Sequence, residues 1–226
     1  MNESQRRAWE ALGLGPVWRL RRPVADPSAV QAPAVATMDW PQLRATVAAC
    51  RACALSETRT QAVFGVGDAR ASWMVIGEAP GAEEDRRGEP FVGNAGRLLD
   101  QMLAALGLSR ERDVFIANVL KCRPPNNRDP SPDEIRHCEP YLQRQIELVS
   151  PRVIVVVGRI AAQALLRTEA SLASLRGRVH RHRIGDRAVP VVVTYHPAYL
   201  LRSPPDKARA WADLCLARRA HDEGEG

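Results

Sequence analysis

At 226 residues, 45% of them hydrophobic, the chain can bury a full core in one α/β domain of ordinary size with a short appendage, so its five cysteines are not needed as staples for a tiny scaffold. The formal charge of +6 rests almost wholly on arginine, Lys121 and Lys207 being the only lysines; arginine suits bidentate phosphate contacts, and the balance fits a polyanionic partner without demanding one. No apolar run approaches the roughly 20 residues of a bilayer span, and the opening MNESQRRAWEALGLG lacks a signal-type apolar stretch, so the expected location is the cytoplasm, with no membrane partner, and there cysteines point to metal or redox use rather than disulfides.

The first predicted element is a short helix over residues 4–14, with Trp9, Leu12 and Leu14 at its apolar positions. Trp18-Arg19-Leu20-Arg21-Arg22 follows, and Pro23, Pro27, Pro33 and Pro41 then read as a linker. A boundary near residue 38 divides an extension (1–38) from a single domain (39–226). Beyond residue 72 strands and helices alternate. Trp73–Gly77 is a buried strand ending in a glycine-rich turn, residues 95–107 a helix, and Val114–Val119 a second strand. Ser131-Pro132-Asp133-Glu134 is a capping box opening a helix to about Val149. Val153–Val157 is a third strand, Ile160–Leu166 a helix, Val189–Thr194 a fourth strand, and Pro205–Arg219 a last helix. Continuous β-branched runs separated by helices imply a parallel sheet covered on both faces. Ligands of such sheets sit beyond the carboxyl ends of the strands. The polar or glycine-rich loops 77–94, 118–130 and 195–204 are therefore where chemistry is expected.

Four cysteines form a pattern: Cys50-x2-Cys53, a long gap, then Cys122-x15-Cys138. A Cys-x2-Cys pair offers two thiolates from one turn. Cys122 closes the second strand and Cys138 lies on the next helix, so all four can meet at one edge of the sheet. Spacing alone leaves structural zinc, an iron–sulfur cluster and plain burial open; the wide second pair leans to the cluster. Cys215, in the last helix, reads as a core residue.

The first loop runs Gly77-Glu78-Ala79-Pro80-Gly81-Ala82-Glu83-Glu84-Asp85 and then Glu89-Pro90-Phe91-Val92-Gly93. It lacks a Walker lysine. Its carboxylates read either as a solvated helix start or as site groups, and Phe91 either as a core plug or as a stacking platform for a base. Asn118, at the end of the second strand, either caps a turn or reads a base edge. Tyr195-His196-Pro197-Ala198-Tyr199-Leu200-Leu201-Arg202 follows the fourth strand, where a histidine beside proline is a catalytic candidate.

The four cysteines with GEAPGAEED, PFVGNAGRLLD, NVLKCRPPNNRDP and YHPAYLLR, in this order over about residues 41–220, resemble the family 4 uracil-DNA glycosylases, the iron–sulfur group of bacteria and archaea. The resemblance implies a three-layer α/β/α sandwich with a four-stranded parallel sheet. It implies a structural 4Fe-4S cluster on Cys50, Cys53, Cys122 and Cys138. Glu78, Ala79 and Gly81 would contact uracil, Phe91 stack on it, Asn118 read its amide edge and His196 sit near the pyrimidine oxygen. Leu200, Leu201 and Arg202 would form the loop that enters the duplex, an apolar wedge beside a phosphate contact. The partner would be uracil-containing DNA, single- or double-stranded, met by a monomer at the bacterial nucleoid.

The best-known uracil-glycosylase family carries aspartate where this chain has Ala79, which leaves the water-orienting group open; Glu84 is the first choice and Glu78 the next. A protein that binds uracil-DNA or captures it covalently without turnover is the alternative. A related crosslinking group has glutamine at the position of Ala79 and a histidine-containing insertion near the third cysteine, whereas this chain has alanine and CRPPNNRDP. A redox or zinc protein is a further alternative. The extension RRAWEALGLGPVWRLRRP weakly resembles the N-terminal peptide of the psi subunit of bacterial DNA polymerase III, which binds the chi subunit. That likeness implies a replication partner docking through residues 1–22, on Trp9, Leu12, Trp18 and Leu20.

Overall fold

The computed structural model describes residues 3–13 and 34–223. Trp18, Leu20 and the expected linker up to residue 33 lie outside the described residues, while Pro41 stands in the first turn of a helix. The first helix, α1, spans Glu3–Ala11, and Leu12 just after it is 70% exposed. The core of the domain takes in Val35, short of the expected boundary at 38.

Among the described residues six strands make one mixed sheet: β1 (Val66–Gly67), β2 (Trp73–Gly77), β3 (Val114–Asn118), β4 (Val153–Val157), β5 (Val179–Ile184) and β6 (Arg187–Thr194), in the order β1-β3-β2-β4-β6-β5. The inner four, β3-β2-β4-β6, run parallel as the resemblance implied, and β1 and β5 extend them antiparallel at the edges. The expectation of four strands is corrected to six. Strand β5 was not foreseen because VHRHRI puts Val179, Arg181 and Arg183 outward, so half of an edge strand reads as a polar loop.

Each inner strand is buried end to end or nearly so because its alternate residues feed two separate cores. Met74, Ile76, Ile154, Val156, Val191 and Val193 face a core shared with α2 (Trp40–Ala49), α6 (Pro132–Val149) and α7 (Arg159–Leu166). Trp73, Val75, Val153, Val155 and Val192 face α5 (Asn94–Ala104) and α10 (Lys207–Asp222). Every such side chain contributes roughly 1.5–3 kcal/mol of burial. The three layers follow from this two-sided pattern.

Helix starts are set by caps. Ser131 Oγ accepts from Glu134 N at 3.3 Å and Glu134 Oε2 accepts from Ser131 N at 2.8 Å, the expected capping box. Asp39 caps α2 in the same way through Gln42, a helix the proline count had concealed. The last expected helix is divided: a 3-10 turn, Pro204–Asp206, precedes α10. Short helices α4 (Ala82–Arg87) and α9 (Pro197–Arg202) occupy segments read as loops, and α3 (Leu55–Thr58) and α8 (Leu172–Leu175) lie where no element was expected. No helix among the described residues is long and apolar enough to cross a membrane.

The register aligns Gly77 with Asn118 and Val157 with Thr194. The carboxyl ends of the parallel strands thus lie along one edge of the sheet, and the three expected loops leave from there.

Candidate active site and cysteine centre

Above that edge is a cleft of about 550 Å3. Glu78, Ala79 and Gly81 enter it from the loop after β2, Glu84 from α4 and Phe91 from the loop before α5. Asn118 comes from the tip of β3, and His196 and Arg202 from the two ends of α9. Residues more than 100 positions apart in the sequence are brought together by the parallel register.

Phe91 adopts φ 55°, a left-handed conformation that is strained for an aromatic residue. Its surroundings impose that conformation. Arg110 donates to Phe91 O at 2.9 Å and to Pro90 O at 3.3 Å, and is itself paired with Asp100 and Glu89. Glu84 accepts from Val92 N at 3.1 Å and Gly93 N at 3.4 Å through one oxygen, and from Gly81 N at 3.1 Å through the other. A Cβ on Gly96 would meet Phe91 O at 1.7 Å, so only glycine lets α5 approach this backbone. Arg110 was missed by sequence reading because nothing in SRERDV marks it; its partners are assembled by the fold.

The Phe91 ring stacks on the His196 imidazole, centroids 5.6 Å apart and planes 28° apart. A Cβ on Gly77 would stand 2.4 Å from Asn118 Oδ1 and 2.6 Å from Phe91 Cζ. The glycine that ends β2 therefore makes room for two cleft groups at once. Asn118 is buried at the sheet's edge, and its Oδ1 has no hydrogen-bond partner among the described residues. Its backbone carbonyl accepts from the buried Lys121 ammonium at 2.7 Å, which also donates to Gln145 Oε1 at 2.6 Å.

His196 caps α9: its Nδ1 accepts from Ala198 N at 3.1 Å. That bond assigns the proton of the neutral ring to Nε2. Burial first, then the Arg202 charge, push the imidazole pKa down to about 4, against the opposing pull of Glu84. The ring is neutral near pH 7 and remains a hydrogen-bond donor. Glu78 is displaced the other way. Burial, reinforced by Asp129 and opposed by Arg159, pushes its carboxyl up to about 7.

The four cysteines belong to one core, the one shared with α2 and α6. Cys50 and Cys53 flank the turn between α2 and α3, Cys122 follows β3, and Cys138 is on α6. Cys122 and Cys138 are buried. Each of Cys53, Cys122 and Cys138 is perturbed electrostatically by others of the four, and burial raises all three, Cys138 to about 12. Arg59 donates to Cys122 Sγ at 2.9 Å and to Cys50 O at 2.9 Å, joining two arms of the group. Among the described residues no set of three or more His, Cys, Asp or Glu side chains stands close enough to hold a metal ion.

Comparison with known proteins supplies the frame. The profile of the uracil DNA glycosylase superfamily matches residues 64–215. A type-4 uracil-DNA glycosylase of Archaeoglobus fulgidus is 48% identical over 162 residues, 70% of this chain and 81% of that protein. One from Pyrobaculum aerophilum is 43% identical over 183 residues, 79% of this chain and 93% of that protein. The chain belongs to the type-4 uracil-DNA glycosylases. A type-5 enzyme of Pyrobaculum aerophilum is also similar, 34% identical over 149 residues, 59% of this chain and 64% of that protein.

Against the type-4 resemblance, the structure gathers Glu78, Ala79, Gly81, Glu84, Phe91, Asn118, His196 and Arg202 in one cleft. The segment expected to enter the duplex, Leu200 to Arg202, needs a correction. It is the short helix α9 rather than a loop, and Leu200 points inward at 1% exposure while Leu201 stands out at 44%. Adjacent helical residues face different directions, so only one of the two leucines is available as a wedge. Pro124, Asn127, Arg128 and Tyr199 complete the wall. Arg128 is tied to Glu134 at 2.6 Å, and this partner above all holds the Glu134 carboxyl down at about 2.

Proposed function

We propose that the chain excises uracil from DNA by hydrolysing its N-glycosidic bond, leaving an abasic site. The observation that carries this reading is the buried, unpartnered Asn118 Oδ1, set in one cleft with an aromatic ring and a neutral imidazole donor. An unsatisfied buried acceptor costs roughly 1–3 kcal/mol, and the N3–H of uracil is a donor that satisfies it. A uracil within a duplex is out of reach, so the nucleotide is extruded at a cost of a few kcal/mol, least in mismatches and single strands.

Once the base is seated, Phe91 covers its face, and the backbone of Glu78, Ala79 and Gly81 contacts its edge. As the C1′–N1 bond breaks, its electron pair passes to the pyrimidine, and negative charge grows on a carbonyl oxygen of the base. His196 Nε2–H donates to that oxygen. Water then bonds to C1′ and gives up a proton. Glu78 is the group that receives it, since both oxygens of Glu84 are engaged by backbone N–H groups; Glu84 instead holds the Phe91 loop. Leu201 enters the space left in the duplex and Arg202 pairs with phosphate.

The donor set of Cys50, Cys53, Cys122 and Cys138 fits a 4Fe-4S cluster: four thiols from three segments, with the Arg59 guanidinium hydrogen-bonded to Cys122 Sγ to balance the charge of thiolates. When bound, such a cluster would cross-link the turn after α2 and the segment after β3 to α6. Cys138→Ser is expected to lose the visible absorbance of the cluster and to lower the unfolding temperature, read by spectroscopy and thermal denaturation. Full absorbance in that variant would remove Cys138 from the ligand set.

The reaction is tested with a uracil-containing oligonucleotide, single- and double-stranded, incubated with protein and treated with alkali. Strand cleavage with free uracil, and none in a thymine control, is expected. A stable protein–DNA adduct without free uracil would replace this reading with covalent capture.

A further inference from the structure

Two of the chain's three tyrosines stack on each other at the cleft, Tyr195 and Tyr199, with ring centroids 5.0 Å apart and planes 20° apart. Both are only half-buried, unlike the aromatic rings of the core, and Tyr199 lines the cleft itself. The pair is anchored from behind and from the side. The Arg176 guanidinium lies 3.9 Å from the Tyr195 ring centre, and its Nε donates at 2.7 Å to Asp213, which is 2% exposed. Tyr199 Oη donates to Asp206 at 2.8 Å, and Asp206 also accepts from Arg209 at 3.0 Å. A column of guanidinium, ring and ring thus ends at the cleft wall.

Half-exposed at the cleft and held by Asp206 on one side and the Tyr195–Arg176 stack on the other, the Tyr199 ring is both fixed and within reach of a ligand. When uracil leaves the stack, each neighbouring base loses a stacking partner, and an aromatic ring held rigid beside the cleft can cover that bare face. Tyr199 lies between His196 and Arg202 on α9, the element that reaches both the base pocket and the outer rim. We propose that Tyr199 is a stacking platform for the base next to the extruded uracil. Arg176 and Tyr195 are the positioning residues that hold its ring. The inference rests on the reading of the cleft as the uracil pocket.

The test uses the full chain and single-stranded oligonucleotides in which the base on one side of uracil, then on the other, is replaced by a tetrahydrofuran abasic analogue. Single-turnover rate and binding anisotropy are measured for the wild type, Tyr199→Leu and Tyr199→Phe. The wild type is expected to lose about tenfold in apparent affinity when one particular neighbour is missing. Tyr199→Leu should lose about tenfold on the intact strand and be indifferent to removal of that base. Tyr199→Phe, which keeps the ring, should retain the wild-type discrimination. A fold defect in Tyr199→Leu would leave the abasic penalty unchanged, and a penalty unchanged in that variant overturns the proposal. So does a wild type indifferent to both neighbours. Failure to release uracil from the unmodified strand would instead strike the catalytic reading, and the anisotropy comparison still decides for or against the platform.

Discussion

Replacing His196 with alanine should lower single-turnover uracil release by about 10²–10³-fold, the usual effect of removing one donor from a developing oxyanion. The imidazole has two jobs that must be separated. Its Nδ1 accepts from Ala198 N and so caps α9, which leaves Nε2–H as the donor of a ring that lines the cleft. Loss of a cap costs about 1 kcal/mol of stability. His196→Asn keeps an acceptor for Ala198 N but no donor at the place of Nε2. It should recover the unfolding temperature lost in His196→Ala while remaining as slow. The rate deficit should also be flat with pH above about 5, because the wild-type ring, with its pKa pushed down to about 4, is already neutral there. Recovery of turnover in His196→Asn would assign the histidine a purely structural part.

The parts of this site that could be read from sequence are those that a strand's end displays. Gly77 and Asn118 end apolar strand runs and His196 comes two residues after Thr194 at the end of another, so strand prediction and the rule for parallel sheets place them together. The cysteine pattern was legible as a metal motif but not as a particular centre, since spacing alone does not say how far apart four sulfurs stand. What stayed hidden depends on partners distant in sequence. Arg110 and Arg176 look like ordinary surface arginines until the fold supplies Phe91 O and Asp213. Strand β5 was hidden by its arginines, and Leu200 was misassigned because a tripeptide read as a loop has no inner face, whereas a helix does. The choice between Glu84 and Glu78 also lay beyond the sequence: both are glutamates in one glycine-rich loop, and they differ only in what their oxygens already hold.

That difference sets the second large effect. Glu78→Gln is expected to reduce turnover at pH 8 by roughly 10²–10⁴-fold, the range of a lost general base. The sign of the pH dependence follows from the raised pKa. A carboxyl that titrates at about 7 is the active anion above that value, so the wild-type rate should plateau above pH 7 and fall toward tenfold per unit at lower pH. Glu78→Gln should lose this acid limb, and single-turnover rates from pH 5 to 9 would show it. His196, neutral throughout most of that range, cannot supply a limb there. Glu84→Ala should also slow the reaction at least tenfold, since Gly81, Val92 and Gly93 lose their acceptor and the Phe91 loop its support. Its remaining activity should keep the limb near pH 7. If Glu84→Ala abolishes the limb and Glu78→Gln preserves it, the two roles are exchanged: Glu84 receives the proton from water, and its backbone contacts open during the reaction.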